Sequence, residues 1–263
     1  MLTTDDLAAA LGAIPVRAPV RAEEVTASTN AAAHELARAG TPEWTLISAA
    51  HQTKGRGRLD RSWVDEPDGA LLFSLVLRPR IAPAHAGLLS LLAGASMAEA
   101  IRATTGREAT CKWPNDLLLH DAKVGGILLE SEIADERLGH VVLGIGVNLD
   151  PPSGVERAAG VGRGVGQRSL LSAFLERFAV GYTASEPSLP ERVRQAWLPV
   201  SSTIGQLVRA TTVDGGETLG RAVGVDDFGS LLLSTDTGEV RVSFGDVEHL
   251  RPADGLEPRA ESR

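Results

Sequence analysis

Four cationic side chains lie within one eight-residue segment, separated in part by two glycines. They are Lys54, Arg56, Arg58 and Arg61, with Gly55 and Gly57 between them. Cations this close repel one another, so in a chain of formal net charge -8 they indicate a site for a polyanion. Glycine lets the backbone N–H groups approach an anion, and the planar guanidinium fork donates two bonds to a phosphate. The segment therefore predicts a phosphate-binding loop rather than a solvated basic loop.

The common phosphate-loop motifs do not fit this segment. GxxxxGK[ST] occurs nowhere, and GxGxxG is absent at Gly55, at Gly144 and along Gly160 to Gly166. The sequence therefore predicts neither a Walker loop nor a dinucleotide fingerprint. The histidines form no HxxxH or HExxH pair, so they predict no zinc site. His51 adjoins the basic loop, and the others are interpreted as surface or capping residues: His34, His85, His120, His140 and His249.

Three further polar segments could carry chemistry, and each has a plain structural alternative. Lys112, Asn115 and Asp116 surround Pro114, which predicts either a rigid turn that aims these side chains or a bare turn. Lys123 begins a strand beside two glycines. Its side chain either contacts an anion or only extends its charged end into solvent. The serine, threonine and asparagine at 28–30 precede an alanine-rich run ending at Gly40, which predicts a capped helix. Trp63 and Trp113 are predicted to belong to the core.

Composition excludes several classes of protein. The chain is 43% apolar and 23% charged, as in ordinary globular proteins, and its acidic balance argues against general binding to DNA. A single cysteine, Cys111, permits no internal disulfide, which favours a reducing compartment. The acidic start lacks the features of a signal peptide. The most apolar stretch, Gly87 to Ile101, is interrupted by polar residues and predicts a buried helix, not a membrane span. We therefore expect a cytoplasmic protein.

The elements that must position these residues alternate between strands and helices. Strands are predicted at residues 44–50, 70–79, 116–121, 123–133 and 140–149, and helices at 87–105, 168–182 and 190–198. The short spacing of the later strands predicts a mixed or antiparallel sheet backed by helices, an α+β fold. Pro151 to Gln167 is rich in glycine and proline and predicts a mobile loop. Closely spaced strands after Thr203 predict a small β-barrel, so we expect a domain of residues 1–200 and another of 201–263, the latter ending in a polar tail.

Four ordered motifs resemble those of the biotin protein ligases. They are GRGRLDRSW from Gly55, KWPNDLLL from Lys112, KVGGILLE from Lys123 and GIGVNLD from Gly144. The family's Ser-Thr-Asn matches Ser28, Thr29 and Asn30, so the resemblance runs from about Val25 to Asp150. It implies a class II synthetase-like catalytic core followed by a small SH3-like β-barrel.

The resemblance implies roles for individual residues. Arg58, Lys123 and Asp116 would be catalytic, with Arg58 holding the intermediate and Asp116 orienting or deprotonating an acceptor lysine. Biotin would contact Ser28, Thr29, Asn30, Gln52, Gly55, Arg56, Gly57, Arg58, Lys123, Gly125 and Gly126. ATP would contact Arg56, Arg58, Arg61, Lys112, Asn115 and Asn148, with Mg²⁺ placed near Asp116.

The activity that the resemblance implies is ATP-dependent and AMP-forming. Biotin, ATP and Mg²⁺ would form biotinyl-5'-AMP and pyrophosphate, and the biotinyl group would pass to a lysine of the biotin carboxyl carrier domain of a biotin-dependent carboxylase. No DNA and no membrane are expected as partners. Two alternatives stay open: a lipoate or octanoate ligase of similar fold, and a non-catalytic biotin-sensing regulator. Too few residues precede Ser28 for a DNA-binding helix-turn-helix, which argues against the regulator.

Overall fold

The computed structural model describes residues 1–59, 61–182, 188–212, 215–243 and 245–249. A seven-stranded sheet forms its centre, in the spatial order β1-β2-β3-β7-β6-β5-β4. The strands are β1 (Val20–Thr26), β2 (Leu46–Gln52), β3 (Ala70–Leu77), β4 (Thr110–Lys112), β5 (Asp116–Leu119), β6 (Ala122–Ala134) and β7 (Arg137–Asn148). Only β1 and β2 pair in parallel; the other neighbours are antiparallel.

Helices cover both faces of this sheet. They are α1 (Thr4–Leu11), α2 (Thr29–Arg38), α3 (Ala86–Thr105), α4 (Gln167–Gly181) and α5 (Leu189–Trp197). The α2 helix packs on one face, with Ala33 and Ala37 against Ile47, Val76 and Val142. The main core lies on the other face, beneath α1, α3 and α4. Strand β3 is buried along its whole length because both faces are covered, as its continuous apolar sequence predicts.

The predicted α+β architecture is confirmed, with two additions near the start of the chain. Helix α1 and strand β1 were not among the sequence predictions; the burial pattern of β1 is irregular and it carries Arg21, Glu23 and Glu24, so it lacks a clean period of two. Helix α3 is the buried helix predicted from its composition. One stretch, Pro83–Thr105, has the length and apolar character of a membrane span, but most of it is buried inside the protein.

The glycine-rich segment after β7 is held by backbone hydrogen bonds, which differs from the predicted mobile loop. The N–H of Lys123 donates to Arg157 O and the N–H of Ala159 donates to Lys123 O, both at 2.8 Å. Val161 N also donates to Asn148 O at 2.9 Å. These bonds are long-range pairings that the local sequence does not encode. They fix the strand start from which the Lys123 side chain projects.

A five-stranded antiparallel sheet follows, as the sequence predicts. Its order is β11-β10-β9-β8-β12, and its strands are β8 (Leu207–Thr211), β9 (Glu217–Val225), β10 (Leu231–Thr235), β11 (Gly238–Val242) and β12 (Asp246–His249). The predicted boundary at 200/201 stays a prediction. The polar tail falls outside the described residues.

Trp113 joins the two sheets. It is 2% exposed, which confirms its predicted place in the core. Its backbone N–H donates to Thr203 Oγ1 at 2.9 Å, and its indole Nε1 donates to Gly229 O at 3.0 Å. Thr203 Oγ1 also lies 3.2 Å from His249 Nε2. The segment that carries Asn115 and Asp116 is therefore anchored on the C-terminal sheet.

His249 makes this junction sensitive to acid. The pKa of His249 is lowered to about 4, chiefly by burial and in part by the charge of Lys112, while Asp121 opposes the shift. When the folded-state pKa of a histidine is depressed, the protein loses stability as the pH falls. The loss begins below the unfolded-state pKa, about 6.5, and continues down to the folded-state pKa.

We expect the His249→Gln variant to lose less stability than the wild type between pH 7 and pH 4.5. The difference should be about 2–3 kcal/mol at most, from 1.36 kcal/mol per pH unit over that window. Urea unfolding of both proteins at both pH values measures it. Parallel losses in the two proteins would show that His249 is not protonated on unfolding.

Candidate functional site

One end of α2 and the neighbouring strands form the floor of a cavity. Thr29 N and Thr29 Oγ1 both donate to Gln52 Oε1, at 2.7 and 3.1 Å. Ser74 Oγ lies 2.8 Å from Thr29 Oγ1 and 2.7 Å from Asn30 Oδ1. Ser28 stands at the N-cap position, as predicted, but its side chain makes no capping hydrogen bond. Gln52 satisfies the helix start instead, and its Nε2 has no acceptor among the described residues.

The wall of the cavity is bare backbone. Gly126 pairs with Gly146 across β6 and β7, and Gly144 pairs with Leu128, so all these positions share one sheet face. A Cβ atom on Gly144 would lie 2.0 Å from Asn30 Oδ1, and one on Gly146 would lie 2.7 Å from Trp63 Cζ2. Real Cβ contacts are not this short, so the side chains of Asn30 and Trp63 require glycine beneath them.

Trp63 lies in the cavity, which corrects its predicted place in the core. Its ring packs over Gly126 and Gly146, and it lines the cavity together with the basic loop. Its Nε1 atom is buried and has no hydrogen-bond partner among the residues that the structure describes. A buried N–H without an acceptor costs free energy, which a ligand oxygen would recover.

The basic segment folds back on itself. Gly57 N donates to Arg61 O at 2.7 Å, Trp63 N donates to Gly55 O at 3.0 Å, and Arg56 and Ser62 form a bridge. This hairpin places Arg56, Arg58 and Arg61 along one side of the cavity.

Glu130 anchors this loop to the floor. Its carboxylate lies 3.0 Å from an Arg56 guanidinium nitrogen and accepts from Asn30 Nδ2 at 2.8 Å. Sequence reasoning did not single out Glu130. The carboxylate connects the helix start, the sheet and the basic loop through two charge-assisted contacts.

Lys123 and Asp116 face each other across β5 and β6. Lys123 Nζ lies 2.5 Å from Asp116 Oδ1, and both side chains are partly exposed. Asn115 is fixed beside them because its Nδ2 donates to Ile127 O at 2.7 Å and its own carbonyl accepts from Ile127 N at 2.9 Å. The Trp113–Pro114 peptide is cis and turns the chain into this position.

Twelve of the predicted site residues line this single cavity. They are Ser28, Thr29, Asn30, Gln52, Arg56, Gly57, Arg58, Arg61, Asn115, Asp116, Lys123 and Gly126. The sequence segments that contribute them are separated by up to about a hundred residues, and the sheet brings them together. The lining also includes residues that sequence reasoning missed: Trp63, Leu72, Gly144, Ile145 and Gly146.

Four predicted residues lie outside this lining. Gly125 points to the other face of β6, where a Cβ would meet Gly146 O at 2.7 Å, because successive residues of a strand alternate. Gly55 lines a neighbouring cavity formed by the basic loop, and a Cβ on it would meet the carbonyl oxygen of Trp63. Lys112 lines a third cavity together with Arg61 and Thr211. Asn148 is buried, and its Nδ2 donates to Ala159 O at 3.1 Å.

Two histidines predicted at the surface are paired beside the site. His140 is 4% exposed, and its Nε2 lies 2.9 Å from His34 Nδ1. Burial is the largest cause that lowers the pKa of both rings. His34 Nε2 lies 3.8 Å from Glu130 Oε2, so the pair borders the carboxylate that holds Arg56.

Similarity to known proteins is consistent with this geometry. A family model described as the biotin/lipoate A/B protein ligase family matches residues 22–148. A second, described as the biotin protein ligase C terminal domain, matches residues 203–250. The fold and the site therefore define a ligase of the biotin and lipoate class.

Full-length relatives narrow this class. The biotin–[acetyl-CoA-carboxylase] ligase of Paracoccus denitrificans is 33% identical over 84% of this chain and 97% of its own. The corresponding ligase of Mycobacterium tuberculosis is 34% identical over 86% and 87%. The chain belongs to the biotin protein ligase family. A solved biotin protein ligase from Aquifex aeolicus in complex with biotin and ATP matches at a TM-score of 0.68, with 25% identity over 89% of this chain and 99% of that one.

We expect Gly144→Ala to weaken biotin binding by at least about tenfold and to destabilise the fold by about 1–3 kcal/mol, the usual cost of overpacking. The added methyl group must displace Asn30, whose Oδ1 lies 2.0 Å from its position. Calorimetric biotin titration and urea unfolding measure the two effects.

Gly224→Ala is the matched control, because a Cβ there meets nothing within 4 Å. It should bind biotin like the wild type. An unchanged affinity for biotin in Gly144→Ala would show that the position of Asn30 does not affect biotin binding.

Proposed function

We propose that the chain joins biotin to a carrier protein in two steps. A biotin carboxylate oxygen first bonds to the α-phosphorus of ATP as the bond to pyrophosphate breaks, giving biotinyl-5'-AMP. The amine of a carrier lysine then bonds to the acyl carbon, AMP leaves, and the nitrogen loses a proton. The single observation that supports this is one cavity that combines a polar, glycine-walled floor with three arginines and a lysine.

The first step requires positive charge rather than a general base. Biotin's carboxylate is already ionised at neutral pH, and negative charge builds up on the phosphates as pyrophosphate departs. Fixed cations aimed at that charge are the largest source of stabilisation in such sites. Arg56, Arg58 and Arg61 would supply it, with Arg58 holding the intermediate.

The floor would hold the biotin ring. Gln52 Nε2 is available as a donor because Oε1 is occupied by the helix start. The planar ring system would lie against the backbone of Gly126, and Ser28 and Thr29 would supply hydroxyl groups. Asn30 is fully engaged by Ser74, Leu128 and Glu130. Through these contacts Asn30 holds the wall of the cavity in place.

Lys123 and Asp116 would act in both steps. The Nζ of Lys123 would contact the carboxyl and phosphate oxygens of the intermediate, which would draw it away from Asp116. The released Asp116 carboxylate could then orient the acceptor lysine or take its proton. An ion pair between partly exposed groups contributes only about 0–1 kcal/mol, so exchanging it for a ligand phosphate costs little.

Mg²⁺ would accompany the nucleotide in this scheme. Asp116 is the one carboxylate among the described residues that line the cavity. Magnesium commonly uses one or two carboxylates together with substrate phosphates and water, and the residues here fit that pattern. The bound ion would neutralise phosphate charge, with Asp116 as its protein ligand.

ATP would extend from the cavity towards the C-terminal sheet. Lys112 lies there beside Arg61 and Thr211, in a cavity adjoining the basic loop. Asn115 borders the main cavity, whereas Asn148 would have to give up its bond to Ala159 O to contact adenine.

The carrier would be the biotin carboxyl carrier domain of a biotin-dependent carboxylase, met in the cytoplasm. The names of the Paracoccus and Mycobacterium relatives support a carboxylase as the acceptor. The test is mass spectrometry of such a domain incubated with enzyme, ATP, magnesium and biotin. We expect a gain of one biotinyl group at a single lysine. If the enzyme catalyses ATP–pyrophosphate exchange but the carrier domain gains no mass, the proposed transfer step is wrong.

A lipoate or octanoate ligase is the competing enzyme, because the matched catalytic family includes lipoate ligases. The C-terminal match and the curated relatives favour biotin. Carboxylate-dependent ATP–pyrophosphate exchange with biotin, lipoate and octanoate decides between them. Exchange with lipoate alone would end the biotin assignment.

A biotin-sensing regulator is the second alternative. A bifunctional ligase/repressor of Bacillus spizizenii is 32% identical over 86% of this chain and 72% of its own. Tight binding of biotin without any labelling of a carrier would favour that reading.

We expect Arg58→Ala to lower adenylation by about 100-fold while the protein stays folded, the usual loss for one preorganised charge-stabilising donor. Initial rates of biotin-dependent pyrophosphate exchange measure this. Arg137→Ala removes an exposed arginine from the far end of the sheet and should retain the wild-type rate. Equal rates in both variants would mean that the basic loop does not stabilise the reaction.

Lys123→Ala is expected to lose a similar factor of about 100, chiefly by releasing biotinyl-5'-AMP faster, because one charged contact to its oxygens is gone. A chase of preformed, labelled intermediate measures its escape. Asp116→Asn should keep the intermediate bound but transfer it more slowly. Retention of the intermediate in Lys123→Ala would contradict the role given to the amine.

A further inference from the structure

A second cluster of possible ligand atoms lies on the same sheet face as the cavity. Strands β6 and β7 pair Gly126 with Gly146, then Leu128 with Gly144, and two rows further Glu132 with His140. Helix α2 crosses this face and places His34 one turn beyond Asn30. One ring nitrogen of His34, one ring nitrogen of His140 and a carboxylate oxygen of Glu132 lie within 4.8 Å of one another.

We propose that His34, His140 and Glu132 form a binding site for a divalent transition-metal ion, with Zn²⁺ as the best-matched ion. Two imidazoles and one carboxylate are a common zinc ligand set, with the fourth position left to water. The inference does not depend on the proposed ligase reaction.

The distances suit a small tetrahedral ion. His34 Nδ1 and His140 Nε2 are 2.9 Å apart. Zinc bonds of about 2.0–2.2 Å in tetrahedral geometry place two ligand atoms about 3.3–3.5 Å apart. The rings therefore need to separate by only about half an ångström. Rigid elements hold two of the ligands, since Glu132 and His140 are a cross-strand pair.

The ring nitrogens are in a suitable state. Two histidine nitrogens can face each other at this distance only if at least one lacks a proton. A metal ligand must present an unprotonated ring nitrogen, and the contact between His34 Nδ1 and His140 Nε2 requires at least one such nitrogen.

Glu130 would become an outer partner of the site once its contact with His34 shortens to hydrogen-bond distance. Its Oε2 lies 3.8 Å from His34 Nε2, the nitrogen that faces away from His140. Histidine ligands usually donate their second N–H to a carboxylate, which fixes the ring and raises its basicity. The same carboxylate contacts Asn30 and Arg56, so this carboxylate would connect the metal to the wall of the main cavity.

Two arginines oppose the ion. Arg38 Nε lies 2.8 Å from Glu132 Oε2, with the two side chains 64% and 44% exposed. An exposed pair of this kind contributes about 0–1 kcal/mol, so the ion can displace it. Arg78 lies near enough to lower the pKa of His140. These charges would limit the affinity without closing the site.

The test is zinc titration of tag-free, chelator-treated protein in competition with a chromophoric chelator. We expect one ion per chain in the wild type. His34→Gln and Glu132→Gln should each weaken binding by about 100-fold, at least the loss seen for outer-shell partners. Glu132 is partly exposed, so its variant should fold. The test therefore does not depend on a variant of the buried His140, which could misfold.

Two controls sharpen the result. His120→Asn changes an exposed histidine at a positive φ of 49° and should bind zinc like the wild type. Arg38→Ala removes the competing cation and should bind zinc severalfold more tightly, which a purely structural role of the cluster does not predict. Absence of a one-to-one zinc complex in the wild type, or equal affinity in all the cluster variants, would overturn the proposal.

Discussion

A strip of sheet without side chains determines how the rest of the site is built. Gly126, Gly144 and Gly146 occupy neighbouring positions on one face of β6 and β7. Their backbone is the surface on which Asn30 and Trp63 rest, and at Gly144 and Gly146 the separations leave no room for a Cβ atom. The large core on the other face of the sheet supports this surface and would hold it in place for a ligand. Preorganisation of this kind reduces the ordering cost of binding.

The polar groups around this strip form one continuous chain of contacts. It begins at Gln52, passes through Thr29 and Ser74 to Asn30, and ends at Glu130 and Arg56. The floor that would hold the acyl group and the loop that would hold the phosphates are therefore parts of the same network. Members of such networks act together, so single substitutions would not be additive.

The sequence predicted four of the five α-helices, most strands and twelve residues of the cavity lining, because apolar periodicity, glycine, proline and clustered charge are signals that can be recognised locally. It could not predict what depends on pairing between distant segments. Ser74 was hidden as one polar residue in the apolar run ALLFSLVL, and Trp63 looked like an ordinary core aromatic until the fold placed it over Gly146. The pairing of His34 with His140 was likewise invisible, since 106 residues separate them.

The hydrogen bonds of Trp113 have a practical consequence for dividing the chain. A fragment ending before Thr203 would lose the acceptors of both the Trp113 backbone N–H and its indole N–H. Two orphaned donors at about 1–3 kcal/mol each are a large share of a typical domain's stability. The two predicted domains are therefore better kept on one polypeptide, because any division between Trp113 and Thr203 leaves both donors on one fragment and their acceptors on the other.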